Sequence, residues 1–560
     1  MKKKTLLLVA ALLLTALVAL PLLTACSGGG ESTVTGGSGQ DKLYIYNWED
    51  YIDTALIDEF SEYYKEVTGR SIDVTYTTFD TNETMLTKVQ KGDANVDLIC
   101  PSEYAIEKLM RGGYVRNLSE LVSELGEKHN MTFDNLGNIE PDVRTAISAV
   151  FGDIPAGDGK TGNMLDYMVP YMWGTLGILY NKSVVSEEEL KKYGWGVLWN
   201  AGGNPELEGE ILLKDSIRDT YCAAVLYLRD RGMLPEGDST SLGKPYTELT
   251  TAELINCTDD ALLVAVEEVL IEQRDHISGY EVDFGKDDMI NEIVYVDLAW
   301  SGDALWAIEE SYDEETEDYT LGYYVPESGS NIWYDGWIVP TTVRNELAAV
   351  MFIDFMCRPE SAARNTSYIC YTSAVARDVV RSDADAVAAL LDVEYLWYAS
   401  SEECELYTDA DGNLVFFYDW GDGEPYYLNA DGTDFDDEAD TLTAFEAATD
   451  EEGYWLDGNG EYIVDADSMN LFFEDTARYA EITDALGVMR DYGSANDRVV
   501  QMWERVKAGA ETPWALIWCL VAVVIIVGGA VGIYFAKEAF KRRPRKLNVP
   551  PSVVEETDAK

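Results

Sequence analysis

Apolar and polar positions along the chain follow two periods in alternation. Residues 43–46 interleave aliphatic and aromatic side chains and read as a buried strand. Residues 55–68 space their apolar positions as one face of a helix, which stops at Gly69. A second strand is predicted at 72–76, a helix at 82–92, and a third strand at 96–99 that runs into Cys100-Pro-Ser-Glu-Tyr104. Another helix opens at 105–111. This βαβαβ succession predicts a parallel α/β sheet, with 48–51 and 102–104 at strand carboxyl ends, where open α/β sheets bind ligands. The aromatic, Gly-punctuated stretch 169–181 fits a crossover between two lobes, and later strands at 294–300 and 332–340 lead into or carry acids and aromatics.

The two ends follow neither period. Lys2, Lys3 and Lys4 precede an apolar run to Leu23, which predicts a signal peptide over 1–25. It ends Leu23-Thr-Ala-Cys26, resembling the bacterial lipobox, so Cys26 is the expected lipidation site and 26–40, rich in Gly and Ser, a flexible linker. Residues 514–536 carry no charge and have the length of a transmembrane helix. The basic stretch from Lys537 to Lys546 marks 537–560 as a cytoplasmic tail by the positive-inside rule. The expected location is the extracytoplasmic face of the bacterial cell membrane, lipid-anchored and single-span.

Charge narrows the function. Against 41 Lys and Arg stand 102 Asp and Glu, a formal net charge of -61, which repels nucleic acid and anionic lipid. Only two histidines occur, His129 and His276, neither in a pairing motif, so no nucleophile–base pair or metal set can be assembled; no enzyme activity, cofactor or metal is expected. The eight cysteines show no CxxC spacing, and a bridge such as Cys357–Cys370 is left open. The turn from Asn47 to Tyr51 packs two aromatics and two acids at a strand end. Aromatic faces attract a cation and carboxylates accept its N–H bonds, so this chemistry suits an organic cation, although a core strand with a polar cap would look the same.

Nine segments in order resemble the spermidine/putrescine-binding proteins of bacterial ABC importers. They are Leu43-Tyr-Ile-Tyr-Asn-Trp-Glu-Asp-Tyr51, Asn82-Glu-Thr-Met85, Asp97-Leu-Ile-Cys-Pro-Ser-Glu-Tyr104, Val169-Pro-Tyr-Met-Trp-Gly174, Asp215-Ser-Ile-Arg-Asp219, Ala299-Trp-Ser-Gly-Asp303, Gly329-Ser-Asn-Ile-Trp-Tyr-Asp335, Phe352-Ile-Asp-Phe-Met-Cys-Arg-Pro-Glu360 and Tyr371-Thr-Ser-Ala374. The resemblance covers roughly 41–380 and implies a two-lobed periplasmic-binding-protein (class II) α/β fold closing on a polyamine, with an ABC permease as partner. It assigns ligand contacts to Trp48, Asp50, Tyr51, Ser102, Tyr104, Asp219, Trp300, Asp303, Trp333, Asp335 and Tyr371. Asp50, Asp219, Asp303 and Asp335 would pair with the ammonium groups, and the aromatics would flank the methylenes. Ser216 stands where the spermidine branch has a carboxylate, and Met489 or Arg490 where the family has a Gln, which favours putrescine over spermidine.

The implied domains are 41–168 with 334–378 as lobe 1 and 169–333 with 379–509 as lobe 2, the latter interrupted at about 382–468 by an acidic insertion. Within it, Asp-Gly and Asn-Gly flanked by aromatic or β-branched residues predict β-hairpins, and the Asp-x-Asp-Gly clusters fail the spacing of a calcium loop. Another cationic or small organic solute, or a ligand sensor tethered to the membrane, are the alternative readings.

Overall fold

The computed structural model describes residues 41–510, less 158, 314, 315, 317, 384, 385 and 387–398, and between 399 and 484 only 399–401, 404–410, 413–418, 426–430, 435, 442–445, 447–449, 453–456 and 463. The chain through Trp503 forms one compact unit, and 504–560 a second, of which only 504–510 are described.

The first βαβαβ run forms as its periodicity predicts. Strand β1 (Asp41–Asn47) is followed by α1 (Ala55–Thr68), β2 (Ile72–Thr78), α2 (Asn82–Lys91), β3 (Leu98–Ile99) and α3 (Glu103–Gly112). Helix α1 buries Leu56, Ile57, Phe60 and Tyr64 along one face and ends at Gly69, whose φ of 72° is left-handed and costs little without a Cβ. Strand β1 pairs in parallel with β2 and β3. A second run supplies β4 (Met168–Asn181), β5 (Ile211–Lys214), α4 (Ile217–Asp230), β6 (Gly279–Glu281), α5 (Gly285–Ile290), β7 (Val296–Trp300), α6 (Ser301–Glu309), β8 (Leu321–Tyr324) and β9 (Ser330–Ile338).

The principal sheet runs β2-β1-β3-β9-β4-β7-β5-β6. At one end β2, β1 and β3 are parallel, and at the other so are β7, β5 and β6. Between them lie two long antiparallel strands. The first half of β4 pairs with β9, and its second half with β7 and β8. Thirteen of its fourteen residues are buried, all but Trp173, so this strand belongs to the core of both halves. Strand β9 slips register between Asp335 and Gly336, the one irregularity in its pairing with β4. The first half packs around an aromatic chain in which Tyr171, Trp337, Phe352 and Phe60 meet in turn at centroid distances of 4.8, 5.6 and 5.0 Å. The second half packs Leu179, Leu212, Met289, Val294 and Leu321.

In the acidic insertion strands pair on either side of the first predicted turn, at 411–412; the turns predicted at 431–432 and 457–460 lie outside the described residues. Cys404–Thr408 pairs with Leu414–Tyr418, which pairs with Tyr426–Asn429, and Thr443–Ala444 joins the first of these. Asp409 and Asn413 close the first turn, backbone to backbone and through the Asp409 carboxylate. Cys357 and Cys370 are free thiols, so the bridge left open by the sequence is not made.

The expected C-terminal transmembrane helix, and with it the single-span location, must be corrected. Among the described residues no helix is long and apolar enough to cross a membrane. The longest, Asn496–Ala510, has 15 residues, about 22 Å at 1.5 Å per residue, short of the ~30 Å hydrocarbon core. The predicted span 514–536, the tail 537–560, the signal peptide 1–25, Cys26 and the linker to residue 40 lie outside the described residues. The described residues form the two-lobed α/β architecture, and none of their helices spans a membrane.

Trp337 is fully buried at the centre of the aromatic chain. Trp337→Ala is expected to cost roughly 3–5 kcal/mol, read as a lowered midpoint in guanidinium unfolding followed by tryptophan fluorescence.

Candidate functional site

The carboxyl ends of strands from both halves converge on one cleft, as open α/β sheets require of a ligand site. Its space is about 820 Å³ including the open mouth, within the range of small-molecule pockets. Ten of the eleven residues predicted to bind ligand line it: Trp48, Tyr51, Ser102, Tyr104, Asp219, Trp300, Asp303, Trp333, Asp335 and Tyr371. Asp50 does not. Its backbone adopts φ 48°, its side chain is 69% exposed, and its carboxylate is 3.3 Å from Lys286 Nζ.

Asp335 sits at the register slip of β9, where Ser102 forms a bridge to it from the loop after β3. The Tyr51 hydroxyl donates to its Oδ2 at 3.0 Å. Its Oδ1 is buried without a partner of normal hydrogen-bond geometry among the described residues. Burial drives the Asp335 carboxyl up to about 7, tempered by the Ser102 and Tyr51 hydroxyls. Tyr51 is itself fixed: Tyr171 donates to its carbonyl at 2.8 Å, and its ring meets Tyr371 edge-on at 4.8 Å. Tyr371 continues to Trp333 at 5.7 Å. This aromatic wall needs two glycines. A Cβ on Gly302 would lie 2.2 Å from the Tyr371 ring, and one on Gly174 would lie 2.6 Å from Trp333.

The loop after β3 is held from α2, whose Asn82 donates to the Ser102 hydroxyl at 3.0 Å and to the Tyr104 hydroxyl at 3.1 Å. Tyr104 in turn donates to Glu83 at 3.3 Å. Trp48 stacks obliquely on Phe79 at 4.5 Å, and its indole N–H has no partner among the described residues, nor does that of Trp333. The second half supplies Asp219, in the first turn of α4, and Asp303, in the first turn of α6. Burial raises the Asp219 carboxyl, against the pull of Ser216 and Lys214.

Sequence patterns gave no warning of the cations. Lys214, at the end of β5 and fully buried, forms an ion pair with Glu281, approaches Asp297 at 3.9 Å and Asp303 at 4.0 Å, and lies 4.4 Å over the Trp300 ring. Burial alone would lower its pKa; the three carboxylates outweigh that and raise it. Lys286 sits between Asp50 and the other oxygen of Asp303, 3.6 Å away. Arg218 lies flat between Tyr104 and Tyr492, at 4.4 and 3.5 Å, and donates to the Arg490 carbonyl at 2.8 Å. Of the two residues matched to the family Gln, Met489 reaches the cleft, and Arg490 turns to Glu107 with bonds of 3.0 and 2.7 Å. Arg490 therefore offers no charge to repel a third ammonium in the cleft, and this part of the preference for putrescine over spermidine loses its support. Glu103 and Asp283 also line the cleft, with burial pushing their carboxyls up to about 8 and about 7.

Counted over the lining residues, nine carboxylates face one guanidinium. Two half-sheets that deliver strand ends to one aromatic-walled acidic cleft have the form of a solute-binding protein. The chain belongs to the bacterial extracellular solute-binding protein family, whose profile matches residues 55–390; this is a family of binding proteins of ABC transporters, not of enzymes. Over 335 residues it is 26% identical to a spermidine/putrescine-binding periplasmic protein of Salmonella typhimurium, covering 60% of this chain and 78% of that one. It is likewise 26% identical over 330 residues to a spermidine/putrescine-binding periplasmic protein of Escherichia coli, covering 59% and 76%. A putrescine-binding periplasmic protein of Pseudomonas aeruginosa is 24% identical over 352 residues, covering 62% and 82%.

Two substitutions separate the two kinds of buried charge. Lys214→Met strands Glu281, Asp297 and Asp303 together and is expected to destabilise the protein by about 3–5 kcal/mol. Asp335 behaves oppositely. Its folded pKa is raised, so its favourable contribution is complete below the pKa of the unfolded chain and is lost as pH rises through about 7. Asp335→Asn should therefore raise the thermal midpoint of the ligand-free protein at pH 8 and leave it nearly unchanged at pH 4; an equal midpoint at pH 8 would refute the assignment.

Proposed function

We propose that this chain binds a polyamine, putrescine or spermidine, in the cleft and delivers it to the permease of an ABC importer. The observation that carries the reading is Asp335, a buried carboxylate with one unbonded oxygen, set against an aromatic wall in a cleft whose lining acids far outnumber its cations. Burying an ammonium costs several kcal/mol unless it is paired and hydrogen-bonded, and Asp335 is equipped to do both. Trp48, Trp300, Trp333, Tyr51, Tyr104 and Tyr371 supply apolar surface for methylenes and cation–π attraction of about 0.5–2 kcal/mol each. The 24–26% identity to polyamine-binding relatives, over 59–62% of this chain, supports the reading.

In this proposal Ser102 and Tyr104 shape the first lobe's side of the cleft, and Asp219 and Asp303 supply acid from the second. Residues 41–168 with 334–378 form one proposed lobe, and 169–333 with 379–509 the other. Cys26 is the proposed lipidation site after the signal 1–25, a reading carried by the sequence alone. Surplus negative charge in the empty cleft favours an open form; a bound polycation offsets it and favours closure.

Calorimetric titration of the purified full-length chain with putrescine, cadaverine and spermidine tests this. One-to-one binding is expected, weakened at least 100-fold by Asp335→Asn, because the variant leaves an ammonium buried without its counter-charge. Affinity should also rise between pH 5.5 and pH 8. The Asp335 carboxyl sits near 7 when the cleft is empty and must ionise to hold the ammonium, so protons compete with the ligand below that value. A folded protein that binds none of the three amines would remove this function.

A further inference from the structure

We propose that Glu103 is a second ammonium-binding carboxylate of the cleft, and that Glu103 and Asp335 together seat a primary ammonium rather than a quaternary one. The proposal rests on the polyamine reading and assigns part of its specificity to a residue outside the predicted set.

Glu103 opens helix α3, directly after Ser102. It is fully buried, yet it lines the cleft. One carboxylate oxygen, Oε2, accepts the Tyr334 N–H at 3.0 Å, which fixes the side chain against β9. The other, Oε1, is buried with no hydrogen-bond partner among the described residues. Asp335 is the next residue after Tyr334, and its bridge to Ser102 brings the start of α3 beside it. Two carboxylates thus come from adjacent elements, each anchored through one oxygen and each with the other unbonded.

Two other buried acids of the cleft differ. Asp303 lies within 4.0 Å of Lys214 and 3.6 Å of Lys286, and Glu281 is paired with Lys214. Their charge is answered inside the protein. Leaving two acids buried with an unbonded oxygen each costs stability, which a purely structural role does not repay. A primary ammonium brings three N–H donors and can satisfy both oxygens at once. A quaternary ammonium brings none and would leave both unbonded while adding bulk.

Occupancy of this seat is linked to protons. Asp335 raises the Glu103 carboxyl in addition to burial, while Arg218 opposes the rise. Asp219 and the Tyr51 hydroxyl face Asp335, and Glu83 and Arg218 face the neighbouring Tyr104. An arriving ammonium draws off the protons that the two acids hold near neutral pH, so binding releases them to solvent.

The test is isothermal titration calorimetry of the full-length chain at pH 7 in two buffers of different protonation enthalpy. The probes are putrescine and the bis(trimethylammonium) compound of the same chain length. The wild type should bind putrescine with proton release and bind the quaternary compound far more weakly. Glu103→Gln keeps an acceptor for the Tyr334 N–H and should fold; it should bind putrescine about ten-fold or more weakly and release about one proton fewer. Glu103→Asp should retain the proton linkage. Unchanged affinity and proton count in Glu103→Gln would overturn the proposal alone, as would equal binding of the quaternary compound by the wild type. Failure of the wild type to bind any amine would overturn the polyamine reading and this inference with it.

Discussion

Everything in this molecule that bears on function depends on keeping carboxylates out of water. Each half of the sheet ends its parallel strands at the same cleft, and most of those ends carry an acid. A buried, uncompensated carboxylate is among the most expensive groups a fold can hold, and the chain deals with the cost in two ways. In the second half it supplies its own cation, Lys214, which faces Glu281, Asp297 and Asp303. At the junction with the first half no cation among the described residues forms an ion pair with Asp335 or Glu103, and both stand with raised pKa values and spare oxygens, Arg218 only tempering the rise at Glu103. The first solution makes a scaffold. The second leaves an electrostatic deficit for a ligand to fill.

The two long strands make this division possible. Strand β4 is buried along almost its whole length because it serves as core for both halves, and β9 lies against it with a register slip at Asp335. A bulge re-aims a side chain without ending the strand, so Asp335 sits where neighbours on both sides hold it. Ser102 reaches it from the loop after β3 and Tyr51 from the turn after β1. The aromatic wall is fixed with similar rigidity, since Gly174 and Gly302 leave no space between backbone and the rings of Trp333 and Tyr371. A cleft built in this way loses little entropy on binding a flexible ligand chain, because its walls are already ordered.

Much of this architecture is legible in the sequence, for physical reasons. Helix α1 has the predicted limits because its apolar face has one period and Gly69 ends it. Strand β9 reads as a strand from its apolar and aromatic residues, but its acid Asp335 lies mid-strand at the register slip, and Asp303 lies in the first turn of α6 rather than at the end of β7. What sequence reading misses is pairing at long range. Lys214, Lys286 and Arg218 look like ordinary surface cations until the fold brings each against an acid or ring far along the chain. Asp50 looks like a ligand acid for the same reason, and it is Lys286, 236 positions away, that holds it at the surface. Glu103 was hidden between two residues that did attract attention, because nothing in a local pattern reveals that a carboxylate lacks a partner.

The separation of paired from unpaired acids also bears on how the cleft reads its ligand. Asp303 and Asp335 are equivalent in the sequence pattern, each following a Trp by two or three positions. Their surroundings make them different instruments. Asp303 has a lysine within 4.0 Å of each carboxylate oxygen, so an arriving ammonium must compete with cations that cannot diffuse away. Asp335 offers an oxygen that competes only with water and with its own proton. Under the proposed polyamine reading the two acids therefore attract unequally, and the first ammonium to be desolvated would go to Asp335. The other end of the ligand then meets a network that is already near balance, where length and apolar contact with Trp300 weigh more than charge. An asymmetric cleft of this kind can hold a symmetric diamine in one orientation and still select it by the distance between its ends.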